Sequence, residues 1–268
     1  MAVSASHAFL APIPARVPHS VRPSPILSPL PAVAAIAARA RGAATRLVGI
    51  SRAEDFQALI VHRGAGPRSG RELRDRRIGV PAADLQSGTA RAHAMRGAIA
   101  VLETEALFFR SVEWVDLPPA ESVMLTLPTA YAAEIAALQN GRVDAVYVRG
   151  PAGLEAARAA GARVLVDIGA HRDPWVRANT ALLQTLTVSE TLIDEHPQVI
   201  AQALLEHWPL LPADTSLDDG AVGALDALKS FLVRWAFIHT DFAMGSWTDC
   251  QPVRPDARPA QQALQYRA

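Results

Sequence analysis

Short apolar runs closed by glycine or proline alternate with stretches of helical spacing, and this alternation limits the fold more tightly than anything else in the sequence. The run Arg77–Val80 ends at Pro81, Val143–Val148 is followed by Gly150-Pro151, and Arg163–Ile168 runs into Gly169. Between them Thr89–Glu105, Tyr131–Asn140 and Leu154–Ala160 have helical periodicity, the last two halted at Gly141 and Gly161. Glycine commonly sits just past a helix because it adopts positive φ without a Cβ penalty. Strand, helix and strand in this order is α/β logic, with mainly parallel crossovers.

The flanks extend the pattern. Ala32–Arg41 reads as a short helix stopped by Gly42, Thr45–Ile50 and Phe56–His62 as strands, Ser69–Leu73 as a helical turn and Val112–Leu117 as a strand. Thr180–Val188 contains a further β-like stretch. Ser189 is a candidate N-cap for a helix reaching Trp208, and residues 221–237 form the last long helix. Seven prolines between Pro12 and Pro31 remove donors and fix φ, so residues 1–31 are expected to be an irregular Pro-rich arm. The predicted organisation is this arm, a partial first lobe from 32–80 and 181–250, a second lobe from 81–180, and a polar tail over 251–268.

Composition narrows the function. The 26 basic and 26 acidic residues cancel, leaving no global field to attract nucleic acid or an acidic membrane surface. The single cysteine, Cys250, allows neither an intrachain disulfide nor a cysteine-based zinc site. No apolar stretch approaches the ~18–20 residues of a membrane span, so no membrane insertion is expected. The N-terminus lacks a basic start and an unbroken apolar core. The chain as written therefore reads as cytoplasmic, and as periplasmic if a start further upstream supplies a signal. No metal-spaced histidine pair, P-loop, G-x-G-x-x-G or G-x-S-x-G occurs, and no metal or cofactor is expected.

Open α/β sheets bind ligands beyond the carboxyl ends of their strands, where helix N-termini offer free N–H groups to anions. The loop after Arg77–Pro81 is placed there. Its Ser87, Gly88 and Thr89 are candidates to cap the next helix and donate to an anion; plain N-capping is the alternative. Arg91 and Arg96 on that helix are about 140° apart around its axis, so they do not easily face one pocket. Arg91, in the first turn, is the better anion clamp, with a solvated surface arginine as the alternative. In the second lobe Arg149 is a candidate anion ligand and Tyr147 a stacking platform, against surface charge and core aromatic. His93 is read as a satisfied or solvated histidine, and Trp208, Trp235 and Trp247 as helix-packing residues.

Five segments in order carry a resemblance. They are Ala37–Ile50; Phe56–Ile60 with Arg71–Pro81 (RELRDRRIGVP); Ala133–Tyr147 with its core IAALQNGRVDAVY; Gly161–Gly169 (GARVLVDIG); and Leu192–Trp208 (LIDEHPQVIAQALLEHW) with FLVRWAFIHTDFAMGSW beyond it. Together they resemble the sulfonate/nitrate/taurine-type substrate-binding proteins of ABC importers, nearest the 2′-hydroxybiphenyl-2-sulfinate desulfinase branch. The resemblance implies a two-lobed type II periplasmic-binding-protein-like fold with a small organic anion held between the lobes, and an ABC permease as partner. It also implies a return crossover near Ala181–Val188. It begins only at about Pro31, so the first lobe is expected to be incomplete and the chain to be a truncated product. The desulfinase branch works through a cysteine near the N-terminus, a histidine and an Arg-x-Gly-Gly motif. No such cysteine or motif precedes Pro31, so binding is expected, and the alternatives are C–S cleavage of an aromatic sulfinate or an inactive truncated remnant of either.

Overall fold

The computed structural model describes residues 28–53, 55–82, 88–118, 130–207 and 215–248. The chain enters through a strand β1 (Ser28–Pro31), helix α1 (Ala32–Ala40), and strands β2 (Thr45–Ala53) and β3 (Gln57–Val61). A 3₁₀ turn (Gly70–Leu73) leads to β4 (Arg77–Pro81), the long helix α2 (Gly88–Thr104) and β5 (Glu113–Leu117). Helix α3 (Ala132–Gln139), β6 (Ala145–Arg149), α4 (Gly150–Ala159), β7 (Arg163–Asp167) and α5 (Pro174–Thr180) follow. The chain then returns through β8 (Leu182–Ser189) and ends in α6 (Glu190–Glu195), α7 (Pro197–His207), α8 (Asp219–Arg234) and α9 (Met244–Thr248). Gly141 and Gly161 lie just past α3 and α4 with φ of +65° and +59°, the backbone that made them stop signals.

Among the described residues two sheets organise the lobes. One has three strands in the order β1-β8-β2, the other five in the order β5-β4-β6-β3-β7. The sheets are not mainly parallel, as the alternation predicts. Only β4–β5 and β4–β6 are parallel, while β3 runs antiparallel between β6 and β7, and β8 antiparallel between β1 and β2. The reason is chain order. β2 passes straight into β3 across the lobe boundary without a helical crossover, so β3 enters the five-stranded sheet from the opposite end to its neighbours. Residues 57–81 thus pair with the strands of 113–167, and sheet membership puts the first crossing between lobes near residues 53–57 rather than near 80.

Three local readings also change. Residues 28–31 are not part of an irregular arm but an edge strand on β8. Pro29 and Pro31 are two apart, so both missing donors fall on one side of the strand, and an edge strand has one side free. The single helix read after Ser189 is two, because Pro197 cannot donate to the preceding turn and instead opens α7. Helix α4 starts at Gly150 rather than Leu154, since Pro151 suits a helix's first turn. Residues 1–27 and the tail 251–268 lie outside the described residues.

Packing follows from the alternation of side chains along strands. β3 is buried at every position because helices cover both faces of its sheet. Leu59, Val61, Ile78, Val80 and Tyr147 meet α2, whereas Ala58, Ile60, Val146 and Val148 meet Leu138 of α3 and Ala157 of α4. In the smaller lobe Leu47, Ile50 and Leu183 pack on Ile36 of α1 and Leu225, Leu228 and Leu232 of α8. Leu47 and Ile50 are three apart yet share a face, because a bulge between Leu47 and Gly49 resets the alternation. α2 belongs to both cores: Ala92 packs in the three-stranded lobe, Ala94–Leu102 in the five-stranded one.

Candidate functional site

The carboxyl ends of β4, β5, β6 and β7 and the start of β3 share one end of the larger sheet, as the register Gln57↔Arg149 and Ala58↔Asp167 requires. The first turns of α2 cross this end. From Ala92 to Leu102 every residue of the helix is buried, which takes in two polar side chains, His93 and Arg96. A helix buried all round is ordinarily apolar, so these two need an account.

Arg96 is 7% exposed. Its Nη1 donates to the Ala181 carbonyl oxygen at 3.4 Å, a long bond to the crossover that leads into β8. No ion pair neutralises it among the described residues. Burial draws its pKa down to about 10, so it remains a cation at neutral pH. His93, one turn earlier on the same face, is 6% exposed, and its buried Nε2 has no hydrogen-bond partner among the described residues. Burial first, then the charges of Arg149 and Arg96, lower its pKa to about 3, so the ring is neutral.

Arg149 closes β6 and precedes α4. Its backbone is held on both sides by one hydroxyl: Arg149 N–H donates to Tyr131 Oη at 3.0 Å, and that hydroxyl donates to the Arg149 carbonyl at 3.1 Å. Tyr131 itself has φ +68°, an uncommon backbone for a bulky residue. The Arg149 guanidinium has no ion pair with any described residue. Tyr147 is 5% exposed, with its hydroxyl donating to Gln57 Oε1 at 2.8 Å. Burial pushes its phenol pKa well up, so it too stays uncharged. The ring is pressed against α2 at Gly97, where a Cβ would come within 2.7 Å of it.

The cluster therefore combines two guanidinium groups, a neutral imidazole whose Nε2 has no partner among the described residues, and a neutral phenol. No described carboxylate acts on Arg96 or His93. Donors and positive charge are in excess, which suits an oxyanion. Among the described residues no group of three His, Cys, Asp or Glu side chains is arranged to hold a metal ion.

The residues singled out from sequence divide between this cluster and other tasks. Arg149 lies in it. Tyr147 does too, but as a buried support whose packed ring does not fit a stacking platform. Arg91 donates to the Pro81 carbonyl at 2.6 Å and pairs with Asp116 at 2.7 Å, so its charge ties the end of β4 to β5. Gly88 and Thr89 form the first turn of α2. Ser87, Cys250 and Trp208 lie outside the described residues. Trp235 packs on Phe109 and Phe231, and Trp247 is fully buried against Phe242. Sequence reasoning sets Arg96 behind Arg91 and reads His93 as satisfied or solvated, whereas it is buried with an Nε2 that has no partner among the described residues. The legible signal is the His-x-x-Arg spacing inside a helix with no polar face between 92 and 102.

No protein-family model matches the chain, and no curated protein matches it in sequence. Solved structures do match. The desulfurization enzyme DSZB superposes with a TM-score of 0.60 at 20% identity, over 93% of this chain and 88% of that one. The periplasmic sulfonate-binding protein SsuA from Methylobacillus flagellatus KT gives 0.63 at 12% identity, over 91% and 76%. The periplasmic aliphatic sulphonate-binding protein SsuA from Escherichia coli gives 0.55 at 15%, over 86% and 75%. These likenesses establish a two-lobed α/β fold of the kind the resemblance implies.

Proposed function

We propose that this protein binds a small organic anion of the sulfonate kind between its lobes, as the substrate-binding component of an ABC importer or a non-exported relative of one. The observation that carries this reading is the buried, charged Arg96, which among the described residues has one long hydrogen bond and no counter-ion, with Arg149 as a second charge acting on the same His93. Burying an unpaired cation costs several kcal/mol, and a bound oxyanion offsets it. Arg96 and Arg149 hold the anion in this reading, Tyr147 and Gln57 brace the wall, and the α2 start at Gly88 and Thr89 borders the cleft. The site lies where α2 spans both cores, so closure of the lobes would enclose the ligand. Two of the matching structures are sulfonate-binding proteins, which supports the ligand class and a permease partner.

The test is a thermal-shift panel of aliphatic and aromatic sulfonates, sulfinates and carboxylates on the whole chain and on Arg96→Met. Saturating anion at a hundred times Kd adds about 2.7 kcal/mol of native stability. A rise of several degrees for one class, absent in Arg96→Met, is the expected result. A cooperative melt that no anion shifts would overturn the reading. Release of sulfite from biphenyl-2-sulfinic acid would move it to desulfinase chemistry.

A further inference from the structure

His93 is the part of the cluster that anion binding by two arginines leaves unexplained. A buried ring nitrogen without a partner is destabilising, and such atoms are rare in folded proteins. Among the described residues the charged groups acting on the ring are Arg149, from the end of β6, and Arg96, from its own helix. Tyr147 of the same strand is uncharged and engaged with Gln57 of β3. Asp55, exposed ahead of β3, acts on Tyr147 and is not among the groups acting on His93. Both of these neighbours are basic, and both repel a proton from the imidazole.

We propose that His93 contacts the bound anion through Nε2 and takes up a proton from solvent as the anion binds, so that falling pH favours capture. This rests on the anion site described above. An anion seated on Arg96 and Arg149 replaces repulsion of imidazolium by attraction, which raises the proton affinity of the ring. It also gives Nε2–H an acceptor, making a charge-assisted hydrogen bond. Coupling is reciprocal: whatever the anion adds to proton affinity, the proton adds to anion affinity. The burial that now holds the ring neutral becomes the source of the pH response.

The probe is benzenesulfonate, whose own charge does not change between pH 5 and pH 7.5. Isothermal titration of the full chain at both pH values, each in two buffers of different ionisation enthalpy, reads affinity and proton uptake together. The expected result is tighter binding at pH 5, by up to roughly tenfold per pH unit at full coupling, with proton uptake there. His93→Gln keeps a polar group but cannot titrate, and it abolishes both effects; His171→Gln, in the loop before α5, retains them. If His93→Gln does not fold, the buffer dependence of the unaltered chain still decides. Binding of equal strength at both pH values, with no proton uptake, overturns the role of His93 and leaves the anion site standing. No binding at either pH, or binding unchanged in Arg96→Met, overturns the site itself.

Discussion

Arg96 and His93 place function and stability in opposition at single side chains. Among the described residues the buried Arg96 guanidinium has one hydrogen bond, of 3.4 Å, and no counter-ion, so its charge is poorly compensated. Replacing such a charge by an apolar group of similar length is often neutral or stabilising by about 1–4 kcal/mol. Arg96→Met is therefore expected to resist urea at least as well as the natural chain while losing its response to sulfonates; equilibrium unfolding with and without ligand checks both. His93 acts on acid stability. Its folded pKa of about 3 lies below the unfolded value of 6.5, so below pH 6.5 the unfolded chain binds a proton that the folded one refuses. The stability contribution is intact above pH 6.5 and is lost as pH falls towards 3, by on the order of 5 kcal/mol at most. Urea midpoints measured from pH 7 to pH 4 should fall steeply in the natural chain and more gently in His93→Gln.

Two elements set the geometry of the cluster. α2 lies close over β6 only because residue 97 has no side chain; a Cβ there would meet the Tyr147 ring at 2.7 Å. Gly97→Ala should cost about 1–3 kcal/mol through overpacking and displace His93 and Arg96 relative to Arg149. Thermal unfolding reads the first effect, and a weaker sulfonate-induced shift the second. The start of α3 fixes Arg149 from the other side. Tyr131 holds a backbone that costs roughly 1–2 kcal/mol for an L-residue, and its hydroxyl bonds both the N–H and the carbonyl of Arg149. Tyr131→Phe keeps the ring and removes both bonds. We expect a loss of about 1–3 kcal/mol in stability and a fall in sulfonate affinity. Unchanged affinity would mean that the clamp does not position the guanidinium.

The whole molecule joins two sheets through short crossings, one near residues 53–57 and one at Ala181, where Arg96 already reaches the backbone. An anion held by side chains of α2 and β6 at this junction should draw the lobes together. Small-angle scattering with and without saturating benzenesulfonate is expected to show a smaller radius of gyration with ligand, and no change in Arg96→Met. Among the described residues no helix is long and apolar enough to cross a membrane.

The sequence by itself determined most of the elements, though not β1, α5, α9 or the break between α6 and α7. Apolar runs such as Ile78–Val80 and stop residues such as Gly141 and Gly161 act locally, through backbone preference and side-chain periodicity, and they placed strands and helices to within a few residues. Local signals also reached Arg149, because a strand's carboxyl end can be read from a Gly-Pro that follows it. Tertiary structure alone decided strand direction in the two sheets. That depends on which end of a sheet β3 enters, and a sequence of alternating elements is silent on it. It alone decided, too, that Arg91 pairs with Asp116 while Arg96 and His93 are buried without a carboxylate among the described residues. Partners 25 or 85 residues away in the chain set those outcomes. Burial and charge pairing are sums over neighbours that only the folded chain brings together.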